Sequence, residues 1–107
     1  MFVERLSEKD MRKFLGDNIR MDIKSIEMKE GQIDVCLEGV SSDLYFTFTD
    51  YGVEGHDIFA KAGASIVEEK WSGLMHTRFG REYIDARLKD VQSKQGDYSR
   101  MYSGRER

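Results

Sequence analysis

Residues 19–49 alternate between apolar and polar side chains in three successive runs, and this pattern constrains the fold more than any other feature of the chain. Such alternation is typical of β-strands that bury one face. The runs begin at Ile19, Ile33 and Leu44, and a glycine-containing turn follows each of the first two. The alternation shifts by one position near 24–25, which predicts a β-bulge in the first strand. We therefore expect a three-stranded antiparallel meander.

Helical patterns flank the predicted strands on both sides. Ser7 is a good N-cap and predicts a helix over 7–16, with Gly16 at its C-terminal end. Asp57 predicts the N-cap of a second helix, which ends in or after a turn around Gly73. A third helix is predicted from Thr77 to about Gln95. The apolar positions of the second helix are Ile58, Phe59, Ala62, Ile66 and Val67. The predicted buried stripe of the third helix consists of Phe79, Tyr83, Ile84, Leu88 and Val91.

The resulting element order, α-β-β-β-α-α, predicts an α+β fold. In this fold the three-stranded antiparallel β-meander packs against an N-terminal helix and two C-terminal helices. The 107 residues fit one domain, which we place at 1–95. Residues 96–107 lose the apolar pattern, and we expect them to form a short polar C-terminal tail. No apolar run has the length of a membrane span, so we expect no membrane association.

The single cysteine and the absence of catalytic motifs narrow the possible functions. One cysteine cannot form an intrachain disulfide, which favours a reducing, cytoplasmic location. Cys36 lies between Asp34 and Glu38, and these acidic neighbours disfavour a reactive thiolate. Glycine-rich phosphate loops and the GxSxG elbow are both absent. We therefore expect a protein without enzymatic activity and without a cofactor.

Residues 50–57 are the one segment that suggests metal or acid–base chemistry. Three carboxylates and a histidine occur there within eight residues, and such side chains bind divalent cations or act as general bases. The spacing does not match an EF-hand loop, and a polar turn that leads into an Asp N-cap explains it more simply. A small metal-dependent enzyme remains an alternative, and its site would use Asp50, Glu54, His56 and Asp57.

The charges of the chain are unevenly distributed. Residues 1–77 carry a net charge of −6 and residues 78–107 a net charge of +3, which together give the overall −3. Acidic, tyrosine-bearing positions occupy the predicted outward face of the sheet, and we expect this face to bind a partner. A basic surface of a nucleic-acid-binding protein would complement it. The predicted partner-binding residues are Asp22, Asp34, Glu38, Tyr45 and Thr47.

The leading interpretation is therefore a small acidic interaction protein that binds or inhibits a protein partner. Its size and acidity are typical of inhibitors encoded by phages and mobile elements, including anti-CRISPR proteins that occupy nucleic-acid clefts. A homodimer in which one chain orders the C-terminal tail of the other is a further alternative. The alternative is a nucleic-acid-associated regulator, because arginines interleaved with tyrosines can contact phosphates and stack on bases. That surface would use Arg78, Arg81, Arg87, Tyr98, Arg100 and Tyr102.

Overall fold

The computed structural model describes the backbone of residues 1–106 and the side chains of residues 1–93. Its elements confirm the α+β class, and they begin with a short 3-10 helix (Val3–Arg5) that precedes helix α1. The remaining elements in chain order are α1 (Glu8–Asn18), β1 (Ile23–Lys29), β2 (Gln32–Leu37), β3 (Leu44–Phe48), β4 (Val53–Gly55) and α2 (Ile58–Glu106).

The sheet has four antiparallel strands in the order β1-β2-β3-β4 instead of the three predicted. The additional strand, β4, lies in the segment 50–57 that was predicted to be a polar turn. It has three residues, too few for an alternating pattern to be recognised in the sequence. The predicted β-bulge is confirmed, because the register of β1 against β2 shifts between Ile23 and Ser25.

Helix α1 begins as predicted and ends later than predicted. The Ser7 hydroxyl accepts a hydrogen bond from Asp10 N at 3.1 Å, and the Asp10 carboxylate accepts one from Ser7 N at 2.9 Å, which completes a capping box. The predicted end at Gly16 is wrong, because the helix continues to Asn18. A left-handed residue follows at Arg20, with φ of 57°, and its amide donates back to the carbonyl of Leu15.

Helix α2 takes the place of the two predicted C-terminal helices, so the element order is α-β-β-β-β-α. The backbone leaves the helical region at Gly80, where φ is 56° and ψ is −131°. Glycine suits this conformation because it lacks a Cβ. The break therefore lies at Gly80 and not in the predicted interval between Gly73 and Thr77. The predicted boundary between domain and tail at residue 95 lies outside the described side chains.

The core lies between one face of the sheet and the helices. The Trp71 ring packs 4.8 Å from Phe48 and 5.3 Å from Phe14, measured between ring centroids, so α2, β3 and α1 meet there. The indole N–H of Trp71 donates to the carbonyl of Thr49 at 2.8 Å, which satisfies the one polar atom of the buried ring.

Among the described residues, no helical segment combines the length and the apolar character that a bilayer crossing requires.

The predicted apolar stripes of α2 are only partly buried. Val67 and Tyr83 are buried as predicted, and Phe79 packs against the core. The apolar side chains of α2 occupy more than one helix face, and a helix lying on a single sheet can bury only one of them. The predicted apolar positions of α2 that are instead exposed are Ile58, Phe59, Ala62, Ile66, Ile84, Leu88 and Val91.

Candidate functional site

The sheet face that turns away from the helices carries a groove of about 500 Å³. The inward positions of β2 and β3, such as Val35 and Phe48, are buried in the core, so the alternate positions of these strands point outward. We call this feature the outer groove. The side chains that line it and bear on its chemistry are Glu27, Asp34, Cys36, Tyr45, Thr47 and His56.

A chain of polar contacts crosses the outer groove from β1 to the end of β4. The Lys29 ammonium lies 2.6 Å from Asp34, and the Thr47 hydroxyl donates to the other oxygen of Asp34 at 2.8 Å. His56 Nε2 lies 2.7 Å from the same Thr47 hydroxyl oxygen. Asp34 and Thr47 are directly opposed in the β2–β3 register, and Thr47 is opposed to Glu54 in the next pair. Strand pairing therefore places these side chains in one row.

The direction of these hydrogen bonds follows from the ionisation of Asp34. The contact with Lys29 lowers the pKa of Asp34, and the hydrogen bond from Thr47 lowers it further, while partial burial opposes both. The ionised carboxylate can only accept, so the single hydroxyl hydrogen of Thr47 is used on Asp34. His56 must then donate its Nε2 hydrogen to Thr47. The Nδ1 atom of His56 faces Glu54, whose carboxylate is 4.0 Å away.

This direction has a chemical consequence for Thr47. A threonine nucleophile needs a neighbouring base that takes its proton. Here His56 gives a hydrogen to the hydroxyl oxygen, and the hydroxyl hydrogen is held by Asp34. These hydrogen bonds therefore fix the orientation of the side chains along the groove, and they do not activate the Thr47 hydroxyl as a nucleophile.

Cys36 and Tyr45 form the neighbouring pair along β2 and β3. They are opposed in the register, and Cys36 is buried while Tyr45 is 49% exposed. The neighbouring Cys36 thiol raises the pKa of Tyr45, and the charge of Asp43 adds to this effect. The tyrosine therefore lines the groove with about half of its surface exposed.

The five predicted partner-binding residues divide into two groups. Asp34, Tyr45 and Thr47 line the outer groove. Asp22 and Glu38 are not in its lining and lie together at one end of the β1–β2 pair, where Glu38 N donates to the carbonyl of Asp22 at 2.8 Å. Both are exposed, so they extend the acidic character of the face beyond the groove.

The four residues of the metal-site alternative are not brought together. Asp50 accepts hydrogen bonds from two backbone amides of the amino-terminal 3-10 turn, at 2.8 and 2.9 Å. Asp57 accepts from backbone amides of β3 and of the first turn of α2. Glu54 and His56 lie on the outer face of the sheet. Within the described part of the chain, no cluster of three or more His, Cys, Asp or Glu side chains could hold a metal ion.

The three described arginines of the predicted nucleic-acid surface do not form one exposed surface. Arg78 forms an ion pair with Asp10 at 3.2 Å, and Arg87 donates to the carbonyl of Tyr51 at 2.7 Å while its guanidinium lies over the Tyr51 ring. Arg81 is 91% exposed and lies 3.9 Å from Asp85. Two of these three arginines therefore stabilise the fold. The other three residues of that prediction, Tyr98, Arg100 and Tyr102, lie outside the described side chains.

His56 joins the predicted face although the sequence placed it in the metal alternative. Its position follows from β4, because its backbone amide donates to the carbonyl of Tyr45 at 2.9 Å and continues the pairing of the strands. The alternation of Glu54 and His56 across Gly55 was the sequence signal that could have placed His56 on this face.

Comparison with protein-family models, curated proteins and solved structures finds no match to this chain.

Proposed function

We propose that this protein is a non-enzymatic interaction domain whose outer groove binds a positively charged segment of a protein partner. The observation that carries the proposal is the placement of an exposed tyrosine ring among carboxylates on one sheet face. Tyr45 stands beside the groove, Glu27 lines it, and Glu54 projects from β4 with 73% of its side chain exposed. An arginine or lysine entering the groove would meet carboxylates and an aromatic face together.

The ion pairs on the outer sheet face also favour a positively charged partner. Lys29 lies at the end of β1, and it is engaged by Asp34 at 2.6 Å and by Glu27 at 3.4 Å. Lys24 is engaged by Asp43 at 3.0 Å. Among the residues with described side chains, in contrast, Glu54 has an ion-pair contact only with His56, at 4.0 Å, and this contact is an ion pair only when the imidazole is protonated. A cationic partner segment is therefore favoured over an anionic one. Nucleic-acid-binding proteins present such cationic surfaces, and we propose them as the partner class.

A pair of charge reversals tests this proposal. Glu54→Lys changes the outer face, and Glu69→Lys makes the same charge change at an exposed position of α2. The tagged full-length variants and the wild type are used to capture binding proteins from the native host, and the affinity for the captured partner is then measured. We expect Glu54→Lys to weaken binding about tenfold and Glu69→Lys to leave it unchanged.

A second variant removes the aromatic contact without changing charge. Tyr45→Ser should also weaken binding about tenfold, since tyrosines at the centre of an interface contribute strongly to affinity. The proposal is overturned if the wild type captures no stoichiometric partner, or if Glu54→Lys and Tyr45→Ser bind that partner as tightly as the wild type does.

A further inference from the structure

The part of α2 that follows Gly80 carries an exposed apolar stripe. Ile84, Leu88 and Val91 are 37%, 53% and 40% exposed, although all three are large aliphatic side chains. The same helical segment contacts its own domain through a different face, where Tyr83 is buried and Arg87 reaches the carbonyl of Tyr51. The fold therefore leaves this stripe uncovered.

We propose that this stripe, which we call the helical seam, binds the helical seam of a second copy of the same chain. The spacing of Ile84, Leu88 and Val91 is four residues and then three, which is the spacing of d, a and d positions in a heptad repeat. Aliphatic side chains at this spacing interlock with the same set on a neighbouring helix. A seam of this kind is complementary to itself.

The sequence continues the same spacing beyond the described side chains. Further steps of four, three and four from Val91 reach Gln95, Tyr98 and Tyr102. In the sequence, the apolar spacing therefore continues through two tyrosines and is interrupted by one glutamine.

The length of the helix fits this occupant. The 26 residues of α2 that follow Gly80, up to Glu106, correspond to about 39 Å at 1.5 Å per residue. Three heptads fit within this length, which is in the range of short coiled coils. Within residues 81–93 the seam has leucine at its one a position and β-branched residues at its two d positions. This distribution is associated with assemblies larger than a parallel dimer, so the expected particle contains two or more copies.

The charges beside the helical seam favour a copy of the chain over a strongly charged partner. The part of α2 after Gly80, residues 81–106, contains six basic and five acidic residues, so it is nearly neutral. Two nearly neutral helices approach each other with little net repulsion, whereas a nucleic acid or an acidic protein would select a strongly basic helix. The seam shares no residue with the outer groove, so self-association leaves the proposed partner site accessible on each copy.

The test measures the mass of the full-length protein by sedimentation equilibrium. The chain has a mass of 12.4 kDa, and we expect the wild type to have at least twice this mass. Leu88→Glu places carboxylates at the centre of the helical seam and should give a folded monomer, because Leu88 is half-exposed within its own chain. Ser93→Glu adds the same charge at an exposed position on the opposite side of the helix and should keep the assembly.

Two further measurements make the result decisive. Val91→Glu changes a second seam position and should also give a monomer, which protects the test against a folding defect of one variant. Glu54→Lys should leave the mass unchanged, so failure of this proposal is distinguishable from failure of the proposed partner site. A monomeric wild type overturns the inference, and so does an assembly that persists in folded Leu88→Glu and Val91→Glu.

Discussion

Asp57 connects two parts of the fold through its side chain. One carboxylate oxygen accepts the amides of Phe59 and Ala60 in the first turn of α2, at 3.1 and 2.9 Å. The other oxygen accepts the amide of Tyr45 in β3 at 3.0 Å. These backbone hydrogen bonds lower the pKa of Asp57, with the bond from Ala60 contributing most. The residue therefore joins the sheet to the helix through its negative charge.

This charge makes part of the stability dependent on pH. Because the pKa of Asp57 is lowered in the folded protein, its stabilising effect is present above about pH 4, near the pKa of an unfolded aspartate, and is lost as the pH falls through the folded value. Asp57→Asn should be less stable than the wild type at pH 7, and the difference should shrink as the pH falls below the ordinary aspartate pKa of about 4. Urea unfolding at several pH values measures this, and a difference that is constant with pH would contradict it.

The residues that the sequence predicts best are those with local roles. Ser7 and Asp57 were predicted N-caps, and both are confirmed because a cap contacts amides two or three residues away. The bond from Asp57 to Tyr45 was not predictable, since it depends on the path of β4. Thr47 and Asp34 were placed on the outward face correctly, but their connection to His56 depends on a strand too short to be recognised.

At the scale of elements, the break at Gly80 decides how α2 contacts the rest of the molecule. After the break Tyr83 lies 5.7 Å from the Phe2 ring, and the Arg5 guanidinium makes two hydrogen bonds with Glu82 at 2.8 and 3.0 Å. The amino-terminal 3-10 turn is thereby packed against the second part of the helix. A straight helix would carry Tyr83 away from these contacts.

Replacing individual helical glycines by alanine tests the role of the break. At both Gly73 and Gly80 a new Cβ would meet no atom within 4 Å, so only the backbone conformation differs. Gly80→Ala should lower the free energy of unfolding by about 1–3 kcal/mol, the cost of a sparsely populated conformation. Gly73→Ala lies in regular helix and should raise it by about 0.5–1 kcal/mol. Thermal unfolding measures both, and equal effects would show that the break is not required.

The element predictions were wrong where an apolar pattern could be buried either against the chain's own domain or against another molecule. The three long strands and the bulge follow from alternation, which is a local property. The burial of Leu88 and Val91 was predicted from helical periodicity, which identifies an apolar stripe but not what covers it. In this chain Phe79 and Tyr83 occupy the contact with the domain, so the stripe that follows faces outward.

At the scale of the whole molecule, the opposite charges of the two parts of the chain are partly paired inside the fold. Arg78 binds Asp10, and Glu82 binds Arg5, so each pair connects the amino-terminal region to α2. The uneven charge along the sequence predicted one acidic and one basic surface. In the structure, some of these acidic and basic side chains instead pair with each other and connect the amino-terminal region to α2. An exposed ion pair of this kind stabilises the fold only weakly.

The predicted domain boundary at residue 95 can be tested on the same scale. Removing residues 96–107 should leave the unfolding temperature within about 3 °C, as for a change below roughly 0.5 kcal/mol in a small domain. The comparison is made in the Leu88→Glu background, so that self-association does not contribute to stability. A fall of more than about 10 °C, well beyond such a change, would place the removed residues in the core.

The chain has a single tryptophan, and its position makes it an intrinsic spectroscopic reporter. Trp71 is buried where α1, β3 and α2 meet, and it lies neither in the outer groove nor in the helical seam. Its emission should respond to unfolding because the indole then enters water. A ligand on either surface should leave the spectrum unchanged. One optical measurement on unlabelled protein therefore separates variants that have lost binding from variants that have lost their fold.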